Sequence, residues 1–168
     1  MMISAVEFFL VNELGARLAV FLCSMLPVIE LRGGIPLGMV LGLPWWQSFL
    51  FAVIGNMLPV PLILLFVERV IAWMSRSRVK LFCKFGNFLL QKAEKNRGKI
   101  KKYSFFGICL FVAVPFPATG AWTGALVAAG VGMKPQKALL SCLLGILIAA
   151  VIVTLISYGA LAAFQFLL

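Results

Sequence analysis

The chain has 168 residues; 63% are hydrophobic and only 12% charged, against about 45–50% apolar and about 25% charged in an ordinary soluble domain. Lys and Arg number 15 and the acids 5, all of them Glu, with no Asp and no His. A soluble fold of this length cannot hide so much apolar surface, and the lack of His removes the His-based catalytic and metal sites. A soluble enzyme, a disordered chain and a secreted disulfide scaffold are excluded, and the expectation is a single all-α integral membrane domain. The cysteines, Cys23, Cys83, Cys109 and Cys142, form no CxxC pair and read as small hydrophobes, so no metal and no other cofactor is expected.

The N-terminus carries Glu7 and Glu13 where a signal peptide would be basic. It reads as a short apolar helix at the membrane interface. Leu18–Ile29 is apolar for twelve residues, a helical rise of about 18 Å against a hydrocarbon core of roughly 30 Å. It is interrupted by Glu30-Leu31-Arg32-Gly33-Gly34-Ile35-Pro36, and a second apolar piece runs from Leu37 to Trp46. Ser48–Val67 is long and apolar enough to span.

A basic block follows. Ten of the fifteen basic residues fall between Arg76 and Lys102 with one acid, Glu94, a net +9. One such block between apolar halves is a cytoplasmic loop by the positive-inside rule, not a nucleic-acid site. Val79, Phe82, Cys83, Leu89 and Leu90 share one helical face, with Lys80, Lys84 and Lys95 opposite. That predicts an interfacial amphipathic helix resting on anionic lipids.

The second half repeats the first. Tyr103–Val114 is again twelve apolar residues, interrupted by Pro115-Phe116-Pro117-Ala118-Thr119-Gly120-Ala121-Trp122-Thr123-Gly124. Ala125–Met133, a short basic turn at Lys134–Lys137 and a long apolar run from Leu139 follow. A half-length run, a break and another half-length run predict a re-entrant helical hairpin. Two of them in matching places predict an inverted repeat with a midplane site. The division is residues 1–74 for the first repeat, 75–102 for the cytoplasmic linker and 103–168 for the second repeat. With the linker inside, the first hairpin opens outward and the second inward.

Glu30 and Arg32 stand out, because charge at membrane depth points to function. Glu30 suits a proton or a cation, Arg32 a phosphate or carboxylate, and an ion pair between the two is the structural alternative. Gly33 and Gly34 admit a close ligand approach, and Pro36 suits the first turn of the following half-helix. In the second break Pro115 and Pro117 force extended backbone, Thr119 or Thr123 caps the next half-helix, and Gly120 and Gly124 allow close packing. Trp122 either stacks on substrate or seals the hairpin. Asn56 reads first as a cross-helix hydrogen bonder and then as cavity lining.

The motifs Glu30–Gly38 and Pro115–Gly124 resemble the two signatures of the small multidrug export protein family, over essentially the whole chain. That family in turn resembles, more distantly, the DedA or SNARE-associated membrane proteins. The resemblance implies a transporter of the bacterial or archaeal inner membrane with two re-entrant hairpins, and among the DedA proteins it implies carriage of a lipid phosphate. The reading of the residues is secondary transport, not enzymatic turnover. Arg32 and the half-helix N-termini would hold an anionic lipid phosphate, with Glu30 as the proton-coupling or gating acid. Export of cationic drugs through Glu30 and a non-transporting scaffold are the alternatives. Membrane lipids are the expected partners, and a homodimer is compatible with so small a bundle.

Overall fold

The computed structural model describes residues 12–75, 103–116 and 119–167. Residues 1–11, the amphipathic linker helix and Pro117, on which expectations were placed, lie outside these described residues; the rest of the expected N-terminal helix, from Glu13, is continuous with the apolar run from Leu18. Seven α-helices and no strand occur among the described residues: α1 Glu13–Met25, α2 Glu30–Val40, α3 Trp45–Met57, α4 Pro59–Ser75, α5 Tyr103–Ala113, α6 Ala121–Gly130 and α7 Pro135–Leu167.

The helix ends follow from local chemistry. Leu26 precedes Pro27 and takes extended backbone, φ −73° and ψ 137°, which stops α1. The first interruption is therefore Leu26–Ile29. The stretch from Glu30 to Pro36, expected to be the break, forms the first two turns of α2. Pro36 stands in the helix interior instead of its first turn. There it removes the bond that its own N–H would have made to the Arg32 carbonyl and sets its ring against that carbonyl.

At the other end of α2, Gly42 adopts φ 74° and its N–H donates to the Met39 carbonyl at 3.1 Å, while Leu43 N–H donates to Gly38 at 2.9 Å. This left-handed glycine cap returns the chain into α3. The same turn is built again ninety residues later. Gly132 has φ 71°, its N–H donates to Ala129 at 2.9 Å and Met133 N–H donates to Ala128 at 3.0 Å.

Each half thus holds a helical hairpin whose two ends lie together. Arg17 Nε donates to Gln47 Oε1 at 2.9 Å and Gln47 Nε2 to Glu13 Oε1 at 3.1 Å, so α1 starts beside the start of α3. Gln47 and Arg17 together hold the Glu13 carboxyl below its usual value. In the second half Ser141 Oγ donates to the Phe105 carbonyl at 2.6 Å, which places the start of α5 beside the start of α7. The two hairpins lie at opposite ends of α7. Its first residues follow the α6 turn directly, whereas Tyr158 Oη donates to the Leu43 carbonyl of the other turn at 2.8 Å and pairs with Ser48 Oγ at 2.7 Å. The rise from Pro135 to Tyr158 is about 35 Å, close to a bilayer's hydrocarbon thickness.

Trp45–Val67, which covers α3 and the start of α4 with a break at Leu58, and Pro135–Ala160 of α7 are each long and apolar enough to cross a membrane. Pro59 lacks the N–H that would continue the α3 ladder, which accounts for the break. The core is built of small and branched residues, among them Val20, Ile35, Ala52, Ala121, Ala125, Cys142 and Ile146. The outward faces are equally apolar: Leu62, Phe66, Leu110 and Leu155 are each more than three-fifths exposed. A protein in water does not present such continuous apolar faces.

Helices approach closely where side chains vanish. A Cβ at Gly55 would strike the Phe21 carbonyl, and one at Gly145 would lie 2.7 Å from the Cys109 carbonyl. Small residues at such crossings let membrane helices gain dispersion contacts. Gly55→Ala is expected to destabilise the fold by about 1–3 kcal/mol through overpacking, read as an earlier thermal unfolding transition in detergent. An unchanged transition would show that α1 and α3 are not in backbone contact there.

Candidate functional site

The two broken segments meet, and each finishes the helix ends of the other. Glu30 opens α2 in the left-handed region, φ 53°, the single such non-glycine residue among the described residues. That conformation costs roughly 1–2 kcal/mol for an L-residue. It is repaid by what the side chain reaches. The carboxylate is 5% exposed and accepts a hydrogen bond from the backbone N–H of Trp122 in the opposite hairpin. It lies against Gly120, where a Cβ would overlap it. Gly120 is the N-cap of α6 and supplies no capping side chain. Glu30 brings oxygen acceptors to the N–H groups at the positive dipole end of that helix.

Arg32 serves the other side of the same break. Its Nη2 donates to the Val114 carbonyl at 2.9 Å and to Thr119 Oγ1 at 3.1 Å, and its Nη1 donates to the Phe116 carbonyl. These acceptors continue from the C-terminus of α5, where the last carbonyls have no intrahelical partner and the dipole favours a cation. Trp122 reciprocates from α6: its Nε1 donates to the Met25 carbonyl, the end of α1, at 3.2 Å. Arg32 and Trp122 stand ninety residues apart and do the same work on opposite hairpins.

Several expected residues are thereby placed. Glu30 and Arg32 form no ion pair with each other among the described residues; they engage opposite ends of one break. Trp122 ties α6 to the end of α1 through its Nε1 bond to the Met25 carbonyl. Thr119 does not cap α6. Its hydroxyl turns back to the Val114 and Phe116 carbonyls at 2.9 and 2.8 Å, because Glu30 already fills the cap position. Thr123 Oγ1 donates to the Gly120 carbonyl at 3.1 Å. Pro115 lies in the loop between α5 and α6. Gly33 faces the Ile29 side chain, and Gly34 lies against Ser24 and the Val20 carbonyl, where both serve packing within the first hairpin. Asn56 is buried on α3, and its Oδ1 has no partner. The carbonyls of Met25, Val114 and Phe116 are functional atoms that residue types cannot flag.

The crossing opens on an apolar rim. Val28 is 92% and Phe116 67% exposed, and Leu26, Ile29 and Val114 are exposed beside them. Arg32, half-buried, is the cation within this rim. A separate open recess of about 360 Å³ along α4, lined by Leu62, Ile63, Leu65, Phe66 and Arg69, shares none of these residues.

The comparison with curated proteins matched none, and neither did the comparison with solved structures. A family profile matches residues 30–152, starting at Glu30 and taking in both half-helices after the breaks and most of α7. The chain belongs to the family described as "Putative small multi-drug export protein".

Proposed function

We propose that the chain is a secondary transporter of the inner membrane that moves an amphipathic, anionic lipid phosphate past the crossing of its two hairpins. In this reading α1–α2 and α5–α6 are re-entrant hairpins of an inverted repeat, and segment 76–102 is cytoplasmic. The position of the two hairpins at opposite ends of α7 supports the inversion, as do half-helices of 11 and 10 residues, about 16 Å each. The observation that carries the substrate class is Arg32 and a helix N-terminus set inside an exposed apolar rim. A headgroup anion finds N–H donors and a guanidinium there, while its hydrocarbon stays against Val28 and Phe116. A cationic drug fits less well. The carboxylate that would attract it is buried against α6, and what faces the rim is Arg32.

Flipping of a fluorescent polyprenyl-phosphate analogue in proteoliposomes tests this. Wild type is expected to flip the analogue well above empty liposomes, and Arg32→Gln and Glu30→Gln to abolish the excess. No flipping by folded wild-type protein would overturn the lipid-phosphate reading. Flipping that survives both substitutions would remove the crossing from the path.

A further inference from the structure

The two halves correspond contact by contact. A Cβ at Gly55 would strike the Phe21 carbonyl and one at Gly145 the Cys109 carbonyl, and the left-handed turns at Gly42 and Gly132 match in the same way. Gly34 and Gly124 are a further such pair, and here the halves part. The space beside Gly34 holds the Ser24 hydroxyl, whereas that beside Gly124 holds a methyl of Val112. The difference runs on along the seam. By the spacing that relates Gly55 to Gly145, Ser48 of the first half answers to Ala138, Asn56 to Ile146, and Leu64 of α4 to Thr154 of α7. All of these side chains are buried. Around the first hairpin the seam is polar; around the second it is apolar. Three buried side-chain oxygens among the described residues have no partner: Ser24 Oγ, Asn56 Oδ1 and Thr154 Oγ1. All three belong to the first seam. Buried oxygens left unpaired are costly and call for an explanation.

These groups form a line. α2 and α3 run antiparallel from the Gly42 turn, and Ser48 lies against Gly38 close to it. Further from the turn, on the same sides of the two helices, stand Glu30 and Asn56, about 12 Å deeper. Gly34 and the Ser24 hydroxyl lie midway. On α7, Thr154 lies one turn inside Tyr158, whose hydroxyl meets Ser48 Oγ at 2.7 Å and the Leu43 carbonyl at 2.8 Å. The line ends at an exposed turn, at Gly42 and Pro44. Its steps are about 6 Å, one helical turn, a span that a single water bridges between two hydroxyls. We infer that this seam carries protons between the exposed turn beside Leu43 and the Glu30 carboxyl, and that the apolar seam of the second hairpin carries none. The inference rests on the transport reading above and deepens it: the coupling ion is a proton, and it enters from the side to which the first hairpin opens. A proton entering at Tyr158 Oη passes to Ser48, then by water and the Ser24 or Thr154 hydroxyl to a Glu30 carboxylate oxygen, which becomes a neutral carboxyl. Each relay hydroxyl takes one proton and gives one up, and the return trip restores the carboxylate. Arg32 is the charge that bears on Glu30, and α3, α5 and α6 carry no charged side chain. Uptake of the proton therefore leaves Arg32 uncompensated beside the rim, where it attracts a phosphate.

Hydrogen–deuterium exchange at the Glu30 carboxyl reads the route without any substrate. Its infrared carbonyl band is identified in the purified protein by difference from Glu30→Gln. The exchange rate is then followed after transfer to deuterated buffer, beside the flipping assay. Ser24→Val copies Val112 of the other half, and Thr154→Val keeps the shape of the side chain. Each is expected to slow exchange by at least about a hundredfold, the low end for a positioned proton-transfer group, and to slow flipping with it. Val112→Ser, the mirror change in the second hairpin, is expected to leave exchange as it is in wild type. Exchange unaltered by Ser24→Val and Thr154→Val, or slowed as much by Val112→Ser, would overturn the route and leave the transport reading standing wherever wild type still flips. Slowed exchange with no flipping by wild type would keep the route as proton access to Glu30 and overturn the transport reading. A Glu30 carboxyl band missing at every pH would overturn the route as well.

Discussion

Gly120→Ala is expected to cost about 3 kcal/mol of stability, from a buried carboxylate pushed off its donor. The new methyl would occupy the place of the Glu30 carboxylate. That group would have to leave the Trp122 N–H and find another partner inside an apolar bundle. The cause can be isolated. In a Glu30→Ala background the same methyl meets empty space, and only the small loss from a poorer N-cap residue remains, about 1 kcal/mol or less. The difference between the two backgrounds, about 2 kcal/mol, is the coupling between the residues and lies in the range for groups in direct contact. Unfolding in mixed micelles followed by circular dichroism reads all four corners of this cycle. Equal costs in both backgrounds would mean that Glu30 does not sit on α6.

Replacing Arg32 by Met is expected to destabilise by about 2–4 kcal/mol. Met keeps much of the volume but donates nothing, so the carbonyls of Val114 and Phe116 lose their charged donor. Both residues lie in the exposed apolar rim, and an acceptor left unpaired against hydrocarbon costs about 1–3 kcal/mol. Thr119 limits the loss, because its single hydroxyl proton can still serve one of the two carbonyls. Arg32→Lys should fall between Met and wild type. It restores a cation at the α5 C-terminus but cannot fork to two carbonyls and a hydroxyl at once. Thermal unfolding of the purified variants in detergent should rank them wild type, Lys, Met. Lys and Met behaving alike would show that geometry, not charge, is what Arg32 contributes.

Much of the architecture was legible in the sequence. Runs of twelve apolar residues around two breaks gave the half-helices, and the composition gave the all-helical bundle. The position of the first break was not. The Gly-Gly and Pro of Glu30–Pro36 look like breakers, yet Pro27 breaks the chain first, and the extended backbone it imposes on Leu26 ends α1. Pro36 is then accommodated inside α2. The partnership of Glu30 and Arg32 was not legible either. Sequence neighbours of opposite charge suggest a pair; the two feel each other's charge, but each makes its direct contacts elsewhere, one at a helix N-terminus and the other at the carbonyls after a helix C-terminus. Such partners are backbone atoms, and no residue type announces them. Trp122 was legible as odd, since Trp usually marks the membrane interface, but its acceptor, the Met25 carbonyl, was not.

The central claim is that the two hairpins enter from opposite sides and meet at Glu30, Arg32 and Trp122. It is tested most directly by labelling Trp46→Cys and Lys134→Cys with a membrane-impermeant maleimide. The background has the four native cysteines replaced by alanine, and intact and permeabilised cells are compared. Both positions are exposed beside their hairpin's turn. The expected result is labelling of position 46 in intact cells and of position 134 only after permeabilisation. Labelling of both positions from the same side would contradict the inverted arrangement and the crossing built on it.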